Sequence, residues 1–344
     1  MGVDVVSLRL AFSAPGDAAA RAAFMALGAR ARGHPDADPV DASLALGLAG
    51  PAEAPLARVS LWLAHDLPGA PGRSGLVGHY EALDADAGIA LLREACAALA
   101  RHDALRVLGP INGSTWRRYR LELPREPGDP DVRPDGFATE PRNPPRYNED
   151  FAAAGFHVCA RYETRYEPEP RIDADDHARA RARAEARGIR MHALDPARFE
   201  ETLSDMHALS LGAFAANPFY APLPLGEFLS LYAPYRERVV PEMVRLASDA
   251  NGRLAGYLFG FPDPLSAVDG RPARTVCKTV AVADHARGAG LGGLLLDEFR
   301  AASIAMGASG VIHALMHEGN PSMRMSARHR SVPFKRYALY ERAP

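Results

Sequence analysis

Cysteine is scarce. Cys96, Cys159 and Cys277 are the three present, and they lie far apart with no CxxC pair. That spacing argues against a disulfide framework and a zinc site and fits a reducing compartment. An excess of either charge is also missing: 40 Lys and Arg against 42 Asp and Glu leave a formal net charge of −2. Bulk electrostatics therefore favour neither nucleic acid nor a membrane surface. No apolar run reaches the roughly 18 residues of a membrane span. The opening MGVDVVSLRLAFSAPGD carries Asp4 early and has no long apolar stretch, so it does not read as a secretory signal. The expectation is a soluble cytoplasmic protein with no metal, nucleic-acid or membrane partner.

What is present is ordinary globular material, 47% apolar and 24% charged over 344 residues, enough for two domains. The first half reads as a strand within 5–13, a helix ending at Gly33, strands at 58–66 and 74–84, an amphipathic helix at 85–103 and a short buried strand at 105–111. Ile89, Leu92, Cys96 and Leu99 set the helical period of 85–103. A Pro- and Gly-rich loop over 124–146 precedes a short helix and a closing strand. Residues 167–177 read as a linker and 178–188 as an exposed helical arm. The second half gives a strand at 189–195, a helix at 196–214 with Pro196 in its first turn, a proline-rich loop, and a hairpin over 242–263 turning at Asn251-Gly252. A long strand, a glycine loop, a helix, a strand at 310–316, a short helix and a last strand follow.

The two halves overlay. YEALD…RVLGPINGS at 80–114 matches VAVAD…GVIHALMHEGNPS at 280–322, with Asp84 on Asp284, Asn112 on Asn320 and Ser114 on Ser322. The first copy is eight residues shorter between Asp and Asn, and part of what it lacks is the glycine loop. This reads as a tandem duplication in which one copy lost a ligand site.

That loop is the most informative stretch: Arg287-Gly288-Ala289-Gly290-Leu291-Gly292-Gly293. Gly288, Gly290 and Gly293 spell GxGxxG, but too little chain follows to complete a dinucleotide-binding domain. No GK[ST] is present for a Walker loop. The unpaired N–H groups opening the next helix, with its dipole and Arg287 at the rim, suit a pyrophosphate.

With its flanking strand and helix, this stretch resembles the acetyl-CoA motif R/Q-x-x-G-x-G/A of the GNAT (GCN5-related N-acetyltransferase) superfamily. ALMHEGNPS…FKRYALYER is similar to the later strand, turn and closing strand of that family. The resemblance implies an α+β fold of two tandem GNAT-like domains, each a mixed, mostly antiparallel sheet flanked by helices. Residues 1–168 would form a degenerate copy, 169–188 a linker and arm, and 189–344 the domain with the acyl-CoA site. The implied cofactor is acetyl-CoA, and the implied reaction moves an acetyl group to a primary amine by direct attack in a ternary complex. By the same resemblance, Val280, Ala281, Val282, Arg287, Gly288, Ala289, Gly290, Leu291, Gly292, Gly293 and Asn320 hold the cofactor.

The usual tyrosine, seven residues after the asparagine, is Ala327 here. His313, Glu318 and Tyr337 are the candidate catalytic groups. Phe219 and Tyr220, read as exposed loop aromatics, are the candidate acceptor wall. Two other readings stand beside this one: a non-catalytic acyl-CoA-binding or sensing protein, and an aminoacyl transferase. The partners expected are acetyl-CoA and an unidentified amine, and the oligomeric state a monomer or weak homodimer.

Overall fold

The computed structural model describes residues 8–34, 40–51, 54–132, 135–288 and 290–343. The first half contains β1 (Leu10–Ser13), α1 (Ala18–Arg32), β2 (Ala45–Ala49), β3 (Ala57–Leu67), β4 (Ala70–Ala82), α2 (Ala85–Ala100) and β5 (Arg106–Gly109). It continues through β6 (Leu121–Glu122), α3 (Arg146–Ala153) and β7 (His157–Pro168). The second half contains α4 (Ala174–Glu185), β8 (Arg190–Ala193), α5 (Phe199–Ala213), α6 (Leu225–Tyr232), β9 (Val244–Ser248) and β10 (Leu254–Pro262). A small ribbon, β11 (Ala267–Val268) with β12 (Arg271–Pro272), leads to β13 (Arg274–Val282). The chain ends with α7 (Leu291–Ala305), β14 (Gly310–His317), α8 (Pro321–Ala327) and β15 (Val332–Arg342).

This is the mixed α+β architecture expected. One sheet runs β1-β2-β3-β4-β5-β15-β7-β14-β13-β10-β9-β8, with β6 alongside β15. Its parallel contacts are β4 with β5 and β13 with β14. Each is a strand-helix-strand unit, crossed by α2 or α7, so the repeated order in the sequence is a repeated piece of fold.

The centre of the sheet does not follow chain order. β15, the last strand, lies between β5 and β7, and β7 pairs onward with β14 of the second half. The boundary drawn at residue 168 separates segments of chain but cuts the sheet at its middle. The arm expected at 178–188 is α4, and it is anchored: Ala184 is buried, and His177 and Arg181 both reach Glu298 on α7 at 3.1 Å.

Side-chain alternation assigns the faces. Leu76 packs with Phe24 of α1, whereas Val77 packs under α2. Ala281 packs with α5 and α6, whereas Val280 and Val282 meet α7. Within the loop from 110 to 146, Trp116, Val132 and Phe137 lie on the α5 side. Trp116 meets Phe214, Tyr220 and Phe228 there and donates from Nε1 to the Ala221 carbonyl at 3.1 Å. Val132 and Phe137 pack on Val276, Ile312 and Phe334. The first half thus roofs the second.

Expressed alone, residues 1–170 would leave β5 and β7 without the strand between them. The expected outcome is insoluble or non-cooperatively melting material, with solubility and a single thermal transition restored by co-expression of 171–344. A cooperative melt of the isolated segment would show that the exchanged strand is dispensable.

Candidate active site

β13 and β14 pair only from Arg274↔Gly310 to Cys277↔His313 and then diverge. On its other edge β13 stays with β10 up to Gly256↔Val282, with a register shift at Phe259/Gly260 that leaves Lys278 as the extra residue. Ala283 donates to Ala255 on β10. By antiparallel alternation the polar groups of Ala281 also face β10, and those of Val280 and Val282 face the gap. That gap has an unpaired strand edge along it.

The glycine loop stands at its end. Asp284–Ala286 make one 3₁₀ turn, and α7 starts at Leu291 behind an N-cap, Gly290, that provides no side-chain hydrogen bond. Gly288 and Gly290 adopt φ of 78° and 74°, a region costly for other residues. A Cβ added at 288, 290 or 293 would meet nothing within 4 Å, so the loop is open on that side. At Gly292 it would lie 3.4 Å from Met325 Sδ, an ordinary packing contact. Leu291 itself is buried in the core. Arg287 is exposed and pairs with Asp284 at 3.0 Å. Ala289 lies outside the described residues. The free N–H groups and the helix dipole are presented together to solvent beside the gap.

The matching place in the first half is filled. α2 starts directly after β4, and the Asp84 carboxylate accepts from the Ala87 N–H at 2.8 Å. Asp86 adds another negative charge in that first turn. The gap between β4 and β5 is closed by residues 111–112. Ile111 donates to the Val77 carbonyl at 2.8 Å, and Asn112 Oδ1 accepts from the His79 N–H at 2.7 Å. A Cβ on Gly78 would lie 2.3 Å from the Ile111 oxygen. Asp284, overlaid on Asp84 in the sequence, caps nothing on α7, because six residues of loop intervene.

No family profile and no curated protein sequence matches the chain. Solved structures do. A tandem GNAT protein from the clavulanic acid biosynthesis pathway superposes with TM-score 0.52 at 16% identity, over 97% of this chain and 98% of that one. A probable N-acyltransferase from Enterococcus faecalis gives 0.55 at 9% identity, over 98% and 73%. The GCN5-related glucosamine N-acetyltransferase region of a fungal multi-domain β-N-acetylglucosaminidase gives 0.55 at 14% identity, over 98% of this chain and 38% of that one. The fold is that of the tandem GNAT proteins. At these identities the likeness is one of fold.

Within this GNAT fold the expected acid–base residues are scattered. His313 is 3% exposed and points beneath α7, where its Nε2 meets Glu167 at 3.2 Å. Glu167 is bound by Arg300 through contacts of 2.6 to 3.1 Å. Burial drives the Glu167 carboxyl up, but the hydrogen bonds from His313 and Arg300 outweigh it and hold its pKa below the usual range. His313 therefore lies in a structural ion network joining β7, β14 and α7, not beside the gap. Glu318 is exposed past the end of β14. Tyr337 is fully buried, and its hydroxyl donates to Glu140 at 2.5 Å. Burial first and the adjacent Glu140 carboxylate second push its phenol pKa well up.

Asn320 is half-buried and caps α8 by accepting from the Ser322 N–H at 2.9 Å. Phe219 and Tyr220, expected to be exposed, are 6% and 8% exposed. Phe219 enters the cluster of Trp62, Tyr162 and Tyr337, with its N–H on the Pro68 carbonyl at 2.7 Å, and Tyr220 packs on Trp116. The proline frame turns both rings inward, where they join the two halves.

Side chains from the roofing loop reach the gap instead. Lys278, at the bulge, meets Thr139 Oγ1 at 3.2 Å. Burial, then the charge of Arg120, lowers its pKa to about 8, against a smaller opposite pull from Glu140. Arg120 donates to the Leu315 carbonyl at 3.4 Å. Leu315 is a non-glycine residue at φ 59° that bends β14 away, with its N–H held by Thr164 Oγ1 at 3.1 Å.

Folding disfavours the charged form of Lys278, so its cost is absent above the ordinary value of 10.5 and complete below about 8. Lys278→Met is expected to stabilise the protein by about 1–2 kcal/mol at pH 7, after discounting for partial exposure, with the gain fading toward pH 11. Urea titrations at pH 7, 9 and 10.5 check it; a loss of stability at pH 7 would contradict the lowered pKa.

Proposed function

We propose that the chain is an acyl-CoA-dependent N-acyltransferase whose second half carries the reaction and whose first half is a copy without a ligand site. The observation that carries the reading is the gap between β13 and β14, opening beside the uncapped start of α7. Backbone N–H groups from 288 to 293 would take the pyrophosphate of acetyl-CoA, with Arg287 exchanging Asp284 for phosphate. Val280 and Val282 would bind the pantetheine arm and polarise the thioester carbonyl. The acceptor amine attacks that carbonyl, the C–N bond forms as the C–S bond breaks, and the amine's proton leaves through a base and ends on the thiol.

Lys278 is the group we assign to that proton, because it stands at the bulge where β13 leaves β14 and burial lowers its pKa to about 8. Ala327, at the end of α8, supplies no acid. The hydroxyl of Tyr337, committed to Glu140, is the observation favouring the second reading, an acyl-CoA-binding protein without turnover. CoA release with a panel of amines separates the two.

Gly293 has helical geometry and open space around its Cβ. Gly293→Glu should therefore fold like the wild type while placing a negative charge where the pyrophosphate is bound. Calorimetric titration with acetyl-CoA should show binding by the wild type, weakened at least about tenfold, or 1.4 kcal/mol, in the variant. Absence of binding by the wild type would end this reading.

A further inference from the structure

Four arginines are buried among the described residues: Arg58, Arg120, Arg274 and Arg300. Three have a carboxylate: Arg58 lies 4.0 Å from Glu81, Arg274 lies 2.8 Å from Asp263, and Arg300 lies 2.6 Å from Glu167. Arg120, 6% exposed, has tyrosines in that place. Its guanidinium carbon lies 3.8 Å from the ring centre of Tyr119 and 4.2 Å from that of Tyr162. Its Nη1 bond to Leu315 is long, at 3.4 Å, and its Nε has no hydrogen-bond partner. A buried cation with neither counterion nor full hydrogen bonding is unfavourable for folding. Two aromatic faces moderate that cost and leave the charge uncancelled.

The position of this charge matters. Arg120 comes from the first half but bonds the residue at which β14 turns away from β13. Its field lowers the pKa of Lys278 on one strand, after burial, and of His317 on the other, after burial and against a larger opposite pull from Glu318. Two acids of the roofing loop are committed elsewhere: Glu140 to the Tyr337 hydroxyl and to Lys335 at 3.4 Å, and Glu122 to Lys335 at 2.6 Å. Glu318, which opposes the shift of His317, is exposed at the rim. Arg120 and Lys278 thus bring two positive charges to the α5 side of the gap, away from the glycine loop at α7.

We propose that Arg120 receives a carboxylate belonging to the reactants, carried either beside the accepting amine, as in an amino acid, or at the far end of the transferred acyl group, as in a dicarboxylic acyl thioester. This rests on the acyltransferase reading for the identity of the reactants, and the test separates the two.

The full-length wild type, Arg120→Met and Arg120→Lys are compared. Acetyl-CoA should bind all three alike by calorimetry; failure in the wild type would defeat the acyltransferase reading and leaves the melting measurement below intact. CoA release is then followed with acetyl-CoA and each L-amino acid, β-alanine or the matching decarboxylated amine, and with succinyl-CoA in place of acetyl-CoA. For one carboxylate-bearing probe, kcat/KM should fall at least tenfold in Arg120→Met, chiefly through KM, and recover in part in Arg120→Lys. Its uncharged match should not discriminate. A response in the amino-acid arm puts the anion on the acceptor, and one in the succinyl-CoA arm puts it on the acyl group.

Melting of the wild type alone, with each free amino acid and its amine and with succinyl-CoA against acetyl-CoA, needs no turnover and no variant. The carboxylate partner of one pair should raise Tm above its match. The proposal is overturned if no carboxylate probe is distinguished from its match in either measurement. It is also overturned if Arg120→Met lowers Tm while carboxylate binding is unchanged, since Arg120 would then only support Leu315.

Discussion

The structure depends on where its last strand goes. β15 runs antiparallel to β7 from Val332↔Tyr166 to Glu341↔His157, and its other edge takes Gly109 to Val107 of β5. Each half therefore completes its sheet with a strand from the other, and neither central strand has a free edge to seek another chain. This exchange also fixes the relation of the halves, because a sheet joined at its middle leaves no hinge there. The loop at 110–146 is held against the second half by that same continuity.

On this frame the two strand-helix-strand units differ through small local causes. Both pair for only a few residues before diverging. In the first, a side-chain amide bridges the divergence and a carboxylate caps the following helix. In the second, the strands stay apart, and eight residues, with Gly288 and Gly290 in left-handed conformations, separate the strand from an uncapped helix. The chemistry available at a helix N-terminus is the same in both. In the second it faces solvent, and in the first it faces its own aspartate.

Ionic groups are divided between support and site. Glu167, Arg300 and His313 satisfy one another beneath α7, and Arg274 with Asp263 ties the roofing loop through the Gly136 carbonyl. Such pairs, closed on themselves, lend geometry and little chemistry. Lys278 and Arg120 are different. Among the described residues neither has a carboxylate in contact; both stand where two strands part, and they come from different halves of the chain.

The sequence alone determined most of the elements and the glycine loop. Helical period, the Asn251-Gly252 turn, and glycines clustered between a strand and a helix are local signals, written in neighbouring residues. The overlay of 80–114 on 280–322 was local too, and it located both strand-helix-strand units. Tertiary structure decided what was joined to what. No short-range pattern states that residues 332–342 lie beside 106–109, or that a proline-rich loop turns Phe219 inward. The polar candidates came to lie apart for the same reason. A histidine on a strand has one of two faces, and only packing against α7 showed that His313 takes the one with Glu167. Arg120 lies nearly 160 residues before Lys278 and carries no motif; long-range burial without a counterion is a property of the folded chain, and only there does it become visible.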